Sequence, residues 1–289
     1  MGRKTDGDLP VRRGGHLCRT YADESHWALQ LGDLLREGIA LGQQVLYYAH
    51  THTPLEVTDR ARADGRDLRA AVEREQLRVR SAADSYLRHL PFDPDLMITG
   101  LRDSCRLALA QGWSGLRVIG EMDWATQHVP GADRLLEYEL RLDTEVFTDL
   151  PVTGICLYTA QAATRSPAAL AAATHHDLGN AGVPGNDARL TARPLRPGGR
   201  MRLSGSADWD SRTELAEILA AVCRLPLPVV HLDLRGVDFT DTAAAAALAR
   251  TTAVLAGQDR RLVLHHAPPS LRTVAQMFPE DCRDLETTA

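Results

Sequence analysis

The sequence predicts an α/β protein of two domains, on three observations. Short apolar runs of strand length alternate with amphipathic, helix-length segments over residues 15–162, the pattern of a parallel sheet covered by helices. The segment AATRSPAALAAATHHDLGNAGVPGND, 162–187, loses that alternation and gathers Gly179, Gly182, Pro184 and Gly185, which marks a connector. A second, shorter alternation is organised around VVHLDLRGVDFTDTAAAAALAR at 229–250. The expected division is a domain at 15–162, a linker at 163–187 and a smaller α/β domain at 188–282.

In the first domain, His16, Leu17 and Cys18 begin a strand whose period of two puts His16 and Cys18 on one face. Residues 24–40 read as a helix with Trp27, Leu31, Leu34 and Leu35 as its apolar stripe, and QVLYYA at 44–49 reads as the next strand. Thr53 and Glu56 have capping-box spacing and Pro54 suits a first helical turn, so a helix starts there and stops near Gly65. A short helix at 68–73, a strand at 77–80 and a longer helix at 95–110 follow, the last with Leu101, Cys105 and Leu109 at four-residue intervals. LRVIGEM at 116–122 is a central strand, 135–147 a charged amphipathic helix, and GICLYT at 154–159 the closing strand. Sites in such sheets gather beyond the carboxyl ends of the strands, which selects 19–25, 50–53, 121–124 and 158–161 as pocket walls.

In the second domain, 188–195 and 200–203 are strands joined by a turn at 196–199. Ser211 and Glu214 have capping-box spacing ahead of a helix striped by Leu215, Ile218, Leu219 and Val222. Val229, Val230, Leu232 and Leu234 form a buried strand, Arg235-Gly236 begins a turn, and Phe239 is a buried anchor. Asp241 and Thr242 stand where a carboxylate or hydroxyl caps the alanine-rich helix that follows. A strand at 261–265 and a helix carrying Leu271, Val274, Ala275 and Phe278 close the domain.

Composition narrows the function classes. The chain has 289 residues and a formal net charge of -5, enough length for two cores and no excess of positive charge, so direct DNA binding is not expected. Five cysteines, at 18, 105, 156, 223 and 282, are scattered without a CxxC pair, and reduced cytoplasmic thiols are expected. No apolar run reaches 18 residues and MGRKTDGDLPVRRGG has no apolar core, so neither a membrane span nor a signal peptide is expected. A phosphate cradle of the form GxxxxGK[ST] is absent, and the first strand-to-helix connection reads RTYADESH, with Asp23 and Glu24 where phosphate needs amides and positive charge. ATP hydrolysis is therefore not expected, and the chain reads as a non-enzyme.

Two family resemblances sharpen this reading. The 229–250 stretch, GSADWDS at 205–211 and HHAPPSLRTVAQMF at 265–278 resemble STAS domains, the fold of bacterial anti-sigma factor antagonists. The resemblance implies that Thr242 is a phosphoacceptor and that Asp208, Asp241 and Thr242 face a partner, either an anti-sigma factor or a histidine-kinase-like regulatory protein. Ala243-Ala244-Ala245 stands where that family commonly has a glycine. His16 to Tyr21, Gln44 to Ala49, LRVIGEMDWA at 116–125 and 155–158 resemble the MEDS sensory domain, a module distantly related to RecA/KaiC-type ATPase domains. That resemblance implies a small organic signal ligand and no cofactor.

Together, strand ends and resemblance select His16, Cys18, Arg19, Tyr21, His50, Glu121, Asp123, Trp124 and Tyr158 as ligand-binding residues. His16 and Cys18 are both able to ligate a borderline-soft ion, but two ligands do not complete a site unless His26, His50, His52 or Glu121 folds close, and no metal is expected. His175-His176 reads as a pair of exposed linker residues. The expected function is a sensor coupled to a partner-switching module; the alternatives are a small-molecule or nucleotide-processing enzyme in the first domain and a constitutive scaffold.

Overall fold

The computed structural model describes residues 15–165, 168–175, 189–195 and 199–288. The chain divides into two compact units, the second of which takes in Leu136–Thr144 and Ala169–Thr174 besides the residues from Asp187 on.

From His16 to Thr159 the elements alternate as the apolar pattern requires. They are β1 (His16–Tyr21), α1 (Glu24–Ala40), β2 (Gln44–Ala49), α2 (Pro54–Ala63), α3 (Arg66–Glu73), β3 (Leu77–Ser81), α4 (Pro94–Ala110), β4 (Leu116–Glu121), α5 (Leu135–Leu142) and β5 (Val152–Thr159). The five strands form one sheet in the order β1-β5-β4-β2-β3, with every pair parallel. β2 and β4 are buried along their whole length, as strands covered on both faces must be. Helix starts are set locally. Asp23 accepts from the His26 amide at α1, Thr53 and Glu56 make the expected capping box at α2, and Asp93 with Pro94 opens α4. Leu101 and Cys105 of α4 are buried, but Leu109 is exposed, because the stripe drifts off the packed face by the last turn.

α5 departs from the expected surface helix. Glu137, Glu139, Arg141 and Asp143 are all buried, Arg141 donates to Glu137 at 3.2 Å, and the chain leaves α5 through a π-helical turn at Asp143–Phe147. The charge pattern that reads as a solvated face is here an interior ion pair.

The second unit adds α6 (Ala168–Ala173), β6 (Leu190–Leu195), β7 (Arg200–Ala207), α7 (Arg212–Arg224), β8 (Val229–Thr240), α8 (Thr242–Ala256), β9 (Arg261–His265), α9 (Pro269–Met277) and β10 (Glu286–Thr288). Its sheet has the order β10-β9-β8-β7-β6, antiparallel only between β6 and β7. Leu136 and Leu140 of α5 and Leu170 of α6 join the core formed by these strands and helices.

Four local expectations are corrected here. β8 does not turn at Arg235-Gly236; it runs on to Thr240, absorbing a shift in pairing with β7 between Arg202 and Ser204. A Cβ at Gly236 would lie 2.5 Å from Ser204 Oγ and 2.8 Å from the Leu203 carbonyl, so the glycine serves a close strand approach rather than a turn. Phe239 is 48% exposed rather than an anchor, since the continued strand points it away from the core. Ser211 and Glu214 form no capping box; Asp208 accepts from the Asp210 amide and Ser211 returns to the Asp208 amide, one turn earlier. His175, expected as an exposed linker residue, is fully buried; the linker alanines, which permit a short helix, form one at Ala168–Ala173. His176, the 176–188 stretch and 196–198 lie outside the described residues.

Candidate functional site

Strand order locates the site. The chain leaves β2 toward β3 at one edge and leaves β4 toward β5 in the opposite direction, yet β2 and β4 are neighbours. Their connections part there, opening a crevice at the carboxyl ends of the two strands. A cleft of about 320 Å³ lies at this point. His50 and Thr51 from the end of β2 form one wall, Asp123, Thr126 and Gln127 from beyond β4 another, and Thr159, Gln161, Ala162 and Arg165 from beyond β5 the rest.

Glu121, the last residue of β4, organises the wall from beneath. One carboxylate oxygen accepts from the Tyr47 hydroxyl at 2.6 Å and faces His52 Nδ1 at 2.6 Å. The other accepts from the backbone amides of His50 at 2.6 Å and His52 at 3.1 Å. Four partners use up the acceptor capacity of a carboxylate, so Glu121 pins the loop after β2 instead of reaching into the cleft. Burial pushes its carboxyl up, but the hydrogen bonds from His52, Tyr47 and the two amides outweigh that and leave it below the usual glutamate range. Burial likewise disfavours charge on His52, while contacts with Glu121 and Glu24 prevail and raise its basicity. The His52 ring stacks on Trp27, centroids 3.6 Å apart, and Trp27 donates to Tyr47 at 3.0 Å. The loop is thus held by a buried chain of Trp27, Tyr47, Glu121 and His52.

Asp123 is the half-buried carboxylate that faces the cleft. One oxygen accepts from the Thr159 amide at 2.9 Å and the other from the Thr51 hydroxyl at 3.3 Å, tying all three walls together. Burial, only partly offset by these bonds, raises its carboxyl above the usual aspartate range. His50 Nε2 lies 2.9 Å from Gln127 Nε2. The walls therefore present hydroxyls, amides, an imidazole, a carboxylate and the exposed guanidinium of Arg165, suited to a small polar molecule.

Of the sequence-selected residues, His50 and Asp123 line the cleft and Glu121 supports it. Tyr21 lies buried behind the His52 loop, ring centroids 6.1 Å apart. Trp124 is fully buried against Tyr86 and Phe92, a core aromatic. Tyr158 and Cys18 are buried within their strands, and Arg19 donates to its neighbouring Cys18 carbonyl. His16 lies at the opposite end of β1. Sequence reading missed Thr126, Gln127, Ala162 and Arg165: the first two fall just past the selected end of β4, Ala162 just past that of β5, and Arg165 sits where composition reads as linker.

In the second unit, β7 and β8 end side by side, Ala207 pairing with Thr240 and the Asp241 amide donating to the Ala207 carbonyl. Asp208–Trp209 and Asp241–Thr242 are consequently neighbours. Asp241 caps α8, accepting from the Ala244 amide at 2.7 Å, and Thr242 is exposed in the first turn. Trp209 is 69% exposed, with the Arg212 guanidinium 3.9 Å from its ring centroid.

Two family models match the chain. The model described as MEDS, the methanogen/methylotroph DcmR sensory domain, matches residues 15–176. The chain belongs to the MEDS family. A second model, described as the Mlab STAS domain, matches residues 195–279. No curated protein matches the chain. The pairing of a MEDS sensory domain with a STAS domain is that of a regulatory, signalling protein. In this MEDS domain the start of α1 carries its own anion, since Asp23 accepts from the His26 amide at 2.9 Å. The MEDS match includes α5 and α6, whose apolar residues Leu136, Leu140 and Leu170 belong to the core of the second unit. Among the described residues, no helix is long and apolar enough to cross a membrane.

Proposed function

We propose that the chain is a cytoplasmic partner-switching regulator of the anti-sigma factor antagonist type. The MEDS domain holds a small polar signal molecule in the cleft between the ends of β2, β4 and β5, and the STAS domain docks to an anti-sigma factor or a histidine-kinase-like protein. The observation that carries this reading is the exposed Thr242 hydroxyl in the first turn of α8, beside the cap Asp241 and near exposed Phe239 and Trp209. Exposed aromatics of this size suit a protein contact. A phosphate on Thr242 adds about -1.5 to -2 charges at a helix N-terminus, where free amides tolerate it, so it alters docking without unfolding the domain.

The test joins phosphosite mass spectrometry on protein from its native cells with affinities for a partner recovered from the same cells. Thr242 is expected to be modified, Thr242→Ala to bind as the unmodified chain does, and Thr242→Glu to lose at least about tenfold. An unmodified Thr242 with affinity unchanged in both variants overturns the switch and leaves a constitutive scaffold. A small-molecule-processing enzyme is the second reading, favoured by the raised Asp123 carboxyl in a cleft beside His50. It requires a turnover that Asp123→Asn abolishes; with ATP and magnesium no turnover is expected, because Asp23 caps the helix start that phosphate would need.

A further inference from the structure

We propose a buried metal-binding site in the first unit, formed by His16, Cys156 and His175 and suited to Zn²⁺ or a comparable borderline-soft divalent ion. The site is separate from the cleft and independent of the signalling reading. His16 opens β1, Cys156 lies mid-strand in the adjacent β5, and His175 follows α6. In the parallel register His16 pairs with Gly154 and Cys18 with Cys156, so His16 and Cys156 project on the same face of neighbouring strands, two positions apart.

The distances suit a shared ion. His16 Nε2 lies 3.7 Å from Cys156 Sγ. With Zn–S near 2.3 Å and Zn–N near 2.0–2.1 Å, a tetrahedral ion places its sulfur and nitrogen ligands about 3.6 Å apart. The ligand atoms of all three residues lie within 4.8 Å of one another, and the two imidazoles are stacked obliquely with centroids 4.0 Å apart. Two imidazole nitrogens and a sulfur converging on one space make up the donor set that a borderline-soft cation takes.

The surroundings are those of a closed site. His16 is 5%, Cys156 6% and His175 0% exposed. Phe147 lies over His16 with ring centroids 4.6 Å apart, and a Cβ at Gly154 would come within 2.5 Å of the Phe147 ring. The glycine thus admits the aromatic wall that keeps water from the ligands, and a dry shell strengthens the bond between a metal and a thiolate. Binding deprotonates the Cys156 thiol and uses neutral imidazoles, so one proton is released to solvent per ion.

The test uses the full chain produced in cells grown with Zn²⁺ or Co²⁺ and purified under reducing conditions. About one equivalent of metal is expected, and the Co²⁺ form should show thiolate-to-metal charge-transfer absorption. Cys156→Ser should abolish that band while Cys18→Ser retains it, and circular dichroism identifies any variant that fails to fold. His16→Gln and His175→Gln provide the second measurement, each expected to lower Zn²⁺ affinity at least about tenfold. Wild-type protein with less than about a tenth of an equivalent and no thiolate band on Co²⁺ addition overturns the site. Retention of the band in a folded Cys156→Ser protein, or its loss only in Cys18→Ser, overturns the assignment equally.

Discussion

Glu121 shows how one residue can matter without touching a ligand. Its two oxygens collect four partners from β2 and the loop after it, and that loop supplies His50 and Thr51 to the cleft. Glu121→Gln removes the charge and two acceptor directions, leaving buried donors short of partners. A loss of about 3 kcal/mol is expected, read as a lower midpoint in denaturant. The pH dependence has a definite sign. His52, raised in the folded state, contributes stability that is full below its unfolded value and fades as pH rises through the folded one. Glu121, lowered in the folded state, contributes stability that is present above its unfolded value and fades as pH falls through the folded one. The gap between wild type and Glu121→Gln should therefore be widest at about pH 5 to 6 and narrow on both sides. A gap independent of pH would exclude the charged pair. Arg117 is a second buried charge: it donates to Gln43 at 3.0 Å and Glu37 at 2.9 Å from inside β4.

At the scale of elements, capping sets where α8 begins and thereby where Thr242 is presented. The carboxylate of Asp241 satisfies the Ala244 amide, whereas the alanines that follow offer propensity but no polar side chain to replace it. Asp241→Ala should cost about 1 kcal/mol, seen as a fall in melting temperature of several degrees. Thr242→Ala, at an exposed helical position, should shift it far less. Equal losses in the two variants would mean that Thr242 holds the helix start as much as Asp241 does. This contrast also separates the stability of α8 from the signalling role proposed for its first turn.

For the whole molecule, the compact units do not coincide with contiguous stretches of chain. Leu136, Leu140 and Leu170 lie in the core of the second unit, although each precedes Asp187 in sequence. A fragment beginning at residue 187 therefore leaves an apolar surface uncovered. Burying a leucine side chain contributes about 1.5–3 kcal/mol, so the fragment should be less stable than the same region in the full chain by several kcal/mol. Hydrogen exchange of β8 amides in both forms measures this. Equal protection would show that the three leucines add nothing to that core.

Sequence by itself determined the alternation of strands and helices, the capping boundaries at Thr53 and Asp241, and both family resemblances, because periodicity and capping act over a few residues. It also selected His50 and Asp123, since strand ends are where α/β sheets open. Other assignments depended on which strands become neighbours. The order β1-β5-β4-β2-β3 decides that β2 and β4 part at the cleft, that Glu121 meets His52 across 69 residues, and that His16 meets Cys156 across 140. Packing likewise turns Trp124 and the charges of α5 inward, and the continuation of β8 leaves Phe239 outside. Such partners carry no mark in the linear sequence, because their contacts arise only when distant segments pack, and the packing sets the free energy of each buried group.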